Sequence, residues 1–408
     1  MMTRTGYFSV LAPVVGLLAA SLSLLVIGPP GANGLVCGPS WSTVASSEHI
    51  RKPSAIATVA SNDIWVVGST KDAAHAIRTG AEHWNGSSWS QISVPDVGTG
   101  ANQLNGVDAL ASNNLWAVGY STSSRSQKTL IERWNGTQWR VVTSPNAGTS
   151  GDNALTSIDA LSSTSAWAVG SSRTANSRKS LIQRWNGTSW TIVSSPNPGT
   201  FGNSLLGVAA AGPNNIWAVG WKNSGNGLQS LLLHYNGTGW TEGAGVPRVG
   251  TGDNVLTGIS AVSNDDVWAT GYYVDGTKFK TLTLHYDGTT WSHVPSANGA
   301  DGTSILMGID ASSPTNAWAV GFEDRTAQDH YVASTQRWNG SSWAAFPSAS
   351  SSDGTQESAM FDVGKAPGTS QVWAAGRAGL RLTLGGGRHQ GLAVHLLQPP
   401  EPEPPQAV

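Results

Sequence analysis

Between residues 104 and 143 apolar and polar positions alternate in short stretches, 104–110, 115–120, 129–134 and 139–143, each too brief for a helical stripe. Alternation sends successive side chains to opposite faces, so each stretch predicts a β-strand. In the second, Trp116 and Val118 share one face while Ala117 and Gly119 share the other. Bulk on one side and a recess on the other suit a sheet covered on both faces. Asn135-Gly136, between the third and fourth stretches, predicts a two-residue type I′ turn and therefore a hairpin. No 3.6-residue period is sustained anywhere, and abundant Gly, Ser, Thr and Asn punctuate the strands.

The same unit recurs. Trp-x-x-Gly tetrads begin at Trp65, Trp116, Trp167, Trp217, Trp268, Trp318 and Trp373, at spacings of 51, 51, 50, 51, 50 and 55 residues, which is the signature of a repeat architecture. An aromatic hairpin follows each of the first six, starting at Trp84, Trp134, Trp185, Tyr235, Tyr286 and Trp338. The seventh tetrad has none; residues 380–384 or 392–397 are left to supply its third strand. Residues 38–47 match 187–196, the fourth strand of the third unit, and offer the missing fourth strand. The expectation is an all-β, seven-bladed β-propeller of four-stranded antiparallel blades, closed by an N-terminal strand that completes the last blade.

Composition narrows the function. Only 12% of the 408 residues are charged and the net charge is -2, so nothing draws the whole chain to nucleic acid. The single Cys37 forms no intrachain disulfide, thiolate zinc site or redox pair by itself. No cofactor is expected, and a monomer is. Arg4 precedes an apolar run from about Val10 to Gly28, with Pro29-Pro30-Gly31-Ala32 behind it. Residues 1–33 thus read as a secretory signal or, if uncleaved, an N-terminal anchor and the only membrane contact. The propeller spans 38–397, and the proline-rich 398–408 reads as a disordered tail. The expected location is secreted or cell-surface.

With about 50 residues per unit, the paired-Trp rhythm and the terminal match, residues 38–397 resemble kelch-like propellers and the galactose oxidase central domain. Trp-Ala-Val-Gly followed by Trp-Asn-Gly-Thr-x-Trp lacks the double glycine of kelch units and is more similar to bacterial secreted propeller repeats. The resemblance implies a fold, not an activity. The copper and crosslinked-tyrosine chemistry of galactose oxidase needs a cysteine within the ring, and Cys37 precedes it. His285 to Trp291 superficially resembles a sialidase aspartate box, but its Asp and Gly are adjacent, and Asn occupies the Asp position in the other hairpins.

Two motifs carry alternatives. Asn85, Asn135, Asn186, Asn236 and Asn339 match the N-glycosylation triplet, or they serve turn chemistry. Asp108, Asp159 and Asp310, each eight residues before a tetrad Trp, line a channel and hold a cation, or they satisfy backbone donors. The loops between second and third strands vary while the strands repeat, and loops on a rigid scaffold are where binding resides. They carry Lys71, Arg78, Arg125, Lys128, Arg173, Arg178, Lys179, Lys222, Lys278, Lys280 and Arg325, against Asp72, Asp275, Glu323, Asp324 and Asp329. A locally positive rim on a nearly neutral chain points to an anionic glycan, cell-wall polymer or protein as partner. The expected function is non-enzymatic binding through that rim; the alternative is a sialidase-like glycan hydrolase or lyase acting at the channel mouth.

Overall fold

A side chain at the tetrad glycine would collide with the neighbouring strand. In the computed structural model, a Cβ at Gly119 meets the Gln103 carbonyl oxygen, and one at Gly170 meets that of Ala154. The cause is a β-bulge in the first strand, between Leu104 and Gly106 and between Leu155 and Ser157, which pushes that carbonyl against the second strand. The structure describes residues 40–45, 49–123, 125–148, 151–173, 177–299, 302–325, 330–347, 356–380 and 389–397. These hold strands and turns only; residues 1–33 and 398–408 lie outside them.

The second unit forms strands Asn102–Ala111, Asn114–Ser123, Ser126–Trp134 and Trp139–Val142, hydrogen-bonded in that order. The expectation of seven blades closed by the N-terminal strand is corrected to six blades of this kind. They occupy residues 52–92, 102–142, 152–193, 202–242, 254–293 and 304–346, each a sheet of four consecutive strands. The remaining sheet is not a copy of them. It orders Ser40–Ala45, His389–Leu397, Val372–Leu380 and Gln356–Lys365, drawing on both ends of the chain. The seventh tetrad has no aromatic hairpin behind it, so this stretch builds no blade from consecutive strands. Residues 381–388 and the side chains of 389–397 lie outside the described residues.

The sheets are wedged together by aromatic triads. Each tetrad Trp packs on the hairpin aromatics of the following blade: Trp116 lies 5.0 Å from Trp185 and 5.4 Å from Trp190, and Trp167 lies 4.8 Å from Tyr235 and 5.4 Å from Trp240. Trp373 meets Trp84 and Trp89 of the first blade in the same way, and Trp318 meets Phe346 and Trp41. A third-strand residue covers the other face of several tetrad indoles. His83, His234 and His285 stack there, and Arg133, Arg184 and Arg337 make cation–π contacts. The sequence reading did not foresee this layer, although a basic residue directly precedes every hairpin aromatic.

The hairpin loop also differs from expectation. Trp134 pairs with Trp139, so the connection is four residues, not two. Only the glycine takes positive φ, +93° at Gly136, where a Cβ would press on Asn113 of the neighbouring turn. Asn135 acts through its side chain instead: its Oδ1 accepts from the N–H groups of Thr137 and Gln138 and from the Thr137 hydroxyl. Asn85, Asn186, Asn236 and Asn339 repeat these bonds. Asp287 does so as well, and its carboxyl is held well below the usual range by those donors. Turn chemistry accounts for the triplets.

Candidate functional site

Antiparallel register decides which loops share a rim. Asp152 opposes Arg173 and Asn102 opposes Ser121, so each first strand begins beside the end of the second. The second-to-third loops and the interblade connections therefore lie on one rim. The aromatic hairpin loops lie on the other.

The structure spreads the expected basic residues around that rim on six blades rather than gathering them. Arg78 is neutralised: its guanidinium is 2.8 Å from Asp72 and 3.8 Å from Asp96, and it donates to the Gly100 carbonyl. Lys222 is paired with Glu242. Arg178 is half-buried, donates to the Ser171 hydroxyl at 3.1 Å, and opposes Arg173 across the strand pair. Burial and then the Arg173 charge lower its pKa. Arg125 is exposed in a left-handed turn with φ of 69°. Arg173, Lys179 and Lys278 are exposed, and Lys71, Lys128 and Lys280 are partly so. Arg325 ends the strand Asn316–Arg325, and its side chain lies outside the described residues, as does Asp329.

Two further cations belong to this rim and were missed. Lys52 opens the first strand of the first blade, and Arg377 lies on the second strand of the composite sheet. Repeat register was the available signal: Arg377 follows its tetrad directly, as Tyr120 and Trp221 follow theirs.

The channel is lined by first strands, and here the carboxylates serve backbone donors. Asp108 Oδ2 accepts from Ala160 N–H at 2.7 Å, Asp159 Oδ2 from Ala210 N–H at 3.0 Å, and Asp310 Oδ2 from Lys365 N–H, each on the next sheet. Ser260 does the same for Ala311. Asp362, unforeseen, accepts from Ile56 N–H at 3.0 Å and so ties the composite sheet to the first blade. Burial raises all four carboxyls: Asp159 and Asp362 to about 7, Asp310 to about 6, and Asp108 in the same direction. The Asp108 charge adds to the rise at Asp159. Among the described residues no group of three or more His, Cys, Asp or Glu is placed to hold a metal ion.

These shifts have a sign. A carboxyl whose folded-state pKa exceeds its unfolded value adds stability that is full below about pH 4 and is lost as pH rises through 6–7. Asp159→Asn keeps an oxygen acceptor for Ala210 and removes the titration. It should leave the melting temperature unchanged at pH 4 and add about 1–2 kcal/mol at pH 8, read from melts across that range.

No protein-family model matches the chain, and no curated protein does. Solved structures do. YCF48 bound to D1 peptide is 12% identical over 90% of this chain and 99% of its own, with a TM-score of 0.50. The GH74 xyloglucanase from Xanthomonas campestris is 14% identical over 85% of this chain, with a TM-score of 0.52; the match spans 54% of that enzyme. A PL25 ulvan lyase bound to -[GlcA(1-4)Rha3S]- is 9% identical over 87% of this chain and 94% of its own, with a TM-score of 0.51. At such identities the likeness is one of fold: a β-propeller. It does not extend to a kelch or galactose oxidase identity.

Proposed function

We propose that the protein is an exported β-propeller that binds an acidic polysaccharide of the cell envelope through its second-to-third-strand rim, without catalysing a reaction. The observation that carries this reading is the charge left over there. Among the described residues, Arg173, Lys179, Lys278 and Lys280 make no ion pair, although the chain as a whole is slightly acidic. Cations kept unneutralised on one rim of such a protein focus a positive potential outward. The fold itself accommodates this kind of partner, since the ulvan lyase is bound to a saccharide of glucuronate and sulfated rhamnose, and YCF48 is bound to a peptide. The excess of cations favours the acidic saccharide. A glycan-cleaving role requires an acid and a base converging on an open pocket, whereas the channel carboxylates with raised pKa are engaged by backbone N–H groups. The apolar segment behind Arg4 supplies the export.

Co-sedimentation with acidic and neutral polysaccharides tests the reading. Acidic polymers should bind, and binding should weaken about tenfold or more between 50 and 200 mM salt as screening grows. Changing Arg173, Lys179, Lys278 and Lys280 together to Ser should remove most of it. Equal binding of neutral polymers, or undiminished binding by the variant, overturns the reading.

A further inference from the structure

The first strands are tied to one another at some junctions of the ring and not at others. Asp108, Asp159, Ser260, Asp310 and Asp362 each accept a backbone N–H from the next sheet. A second bond runs beside most of them. Asn105 Nδ2 donates to the Leu155 carbonyl at 2.7 Å, Thr156 Oγ1 to that of Leu205 at 2.9 Å, Thr257 Oγ1 to that of Leu306 at 2.8 Å, and Thr58 Oγ1 to that of Lys365 at 2.9 Å. The sixth blade and the composite sheet gain theirs from Ala333 N–H, which donates to the Ser358 hydroxyl at 2.9 Å.

Two junctions are bare. Ala57 of the first blade and Ala209 of the fourth stand where the acceptor stands elsewhere, and they pack in apolar clusters with Ala109 and Ala261 of the next blade. Leu206 takes the place that register gives to Asn105, Thr156 and Thr257. Among the described residues, no hydrogen bond joins the first strands of the first and second blades, or of the fourth and fifth. The third strands repeat the pattern. Gln183 and Gln336 donate to the connection before their blade, and Glu82 accepts from residues 49 and 50. At the bare junctions the same register position holds Glu132, whose carboxyl oxygens have no partner, and Leu284. Leu233 stands there in the fourth blade, but that junction keeps bonds from Asp159, Thr156 and Ser157.

What crosses the bare junctions besides the aromatic wedge lies at the rims. Arg78 donates to the Gly100 carbonyl at 3.1 Å, Leu228 N–H to Asp253 at 2.7 Å, and Asn215 Nδ2 to Asn264 Oδ1 at 3.0 Å. Apolar contact is non-directional and lets two faces slide or part, whereas a hydrogen bond fixes them.

We propose that the ring consists of two rigid arcs that move against each other. One arc is the second to fourth blades; the other runs from the fifth blade through the composite sheet to the first. The channel side of the two bare junctions opens, and the rim contacts act as hinges. Three sheets separate these junctions one way and four the other, so they lie across the ring from each other, as a hinge axis requires. The sheet built from both chain ends, bonded on each side, is not where the ring yields.

Native-state hydrogen exchange of the full chain over rising urea, read by mass spectrometry, tests this. First-strand peptides of the second, third and fourth blades should share one dependence on urea. Those of the fifth and sixth blades, the composite sheet and the first blade should share another. Ala209→Ser, which offers Ala261 the acceptor that Ser260 offers Ala311, should slow exchange in residues 254–263 about tenfold. Thr257→Val together with Ser260→Ala should split the fifth blade from the sixth. A single dependence for every sheet, a boundary at the composite sheet, or unchanged exchange in both variants overturns the two arcs.

Discussion

Replacing Trp167 with Ala lowers the stability of the propeller by about 3–5 kcal/mol, the range for deleting a fully buried aromatic. The indole is 0% exposed. Tyr235 tilts against it at 4.8 Å, Trp240 meets it edge-on at 5.4 Å, and Arg184 sits 5.1 Å over the ring. Its side chain fills the junction between the third and fourth blades, where Val169, Leu205 and Leu231 complete the cluster. The surrounding strands are hydrogen-bonded into their own sheets and cannot collapse into the space, so the cavity term adds to the lost transfer energy. The Nε1 atom has no hydrogen-bond partner, so truncation orphans no polar group and the cost is one of packing. Trp167→Phe should lose less than half as much. Urea denaturation followed by tryptophan fluorescence measures both; a loss under about 1 kcal/mol for Trp167→Ala contradicts wedging by the tetrad indoles.

Glu132→Gln acts in the opposite direction, raising stability by about 2–3 kcal/mol at pH 8 and by almost nothing at pH 4. Glu132 is 0% exposed and neither carboxyl oxygen has a partner. At the equivalent place in other blades, Gln183 donates to the Pro145 carbonyl at 2.9 Å and Gln336 to that of Ala297 at 2.8 Å, each fastening the blade to the connection before it. Glu82 is satisfied differently, accepting from the N–H groups of His49 and Ile50. Glu132 faces the connection holding Pro95 and Asp96, and Arg78 lies 3.8 Å from Asp96. Burial first, and then the Asp96 charge, push its pKa well above the ordinary glutamate value. The folded chain therefore holds a proton that the unfolded chain releases. Stability from this group is full below the unfolded pKa and falls as pH rises through the folded one. By analogy with Gln183 and Gln336, an amide at this position should donate to the Pro95 carbonyl at high pH as well, where the ionised carboxylate has no proton to offer. Melting curves of both proteins from pH 4 to 9 should diverge toward the alkaline end; parallel curves contradict a buried, protonated Glu132.

What the sequence disclosed follows from which interactions are local. The Trp-x-x-Gly tetrads and paired aromatics place strands within a few residues, because alternation and turn residues act over short spans. The first strands run longer than their apolar patterns suggest: Asn102–Ala111 begins before Leu104, because the buried Asn102 is held by hydrogen bonds, accepting from Val97 N–H and donating to the Gly100 carbonyl, and needs no apolar side chain. Asn-Gly signals a hairpin but not its length, since Asn135 works through a side-chain acceptor that a two-residue turn does not use. The tetrad glycine reads as a recess, while its real demand is a bulged carbonyl on another strand. For Asp108, Asp159 and Asp310 spacing alone favours backbone donors over a cation but does not name the donors. Their partners lie one repeat away, so only register names them. Basic residues on the rim are legible as a group, but the neutralising Asp72, Asp96 and Glu242 are not, because pairing depends on side-chain direction.

If one rim binds and the opposite rim is structural, a hydrogen-exchange footprint of the chain with an acidic polysaccharide separates the two directly. Protection should fall on the second-to-third loops, around 72–77 and 224–227. The hairpin loops at 85–88, 135–138 and 186–189 should exchange as they do in the free protein. Protection confined to those hairpin loops, or spread evenly over both rims, contradicts the division.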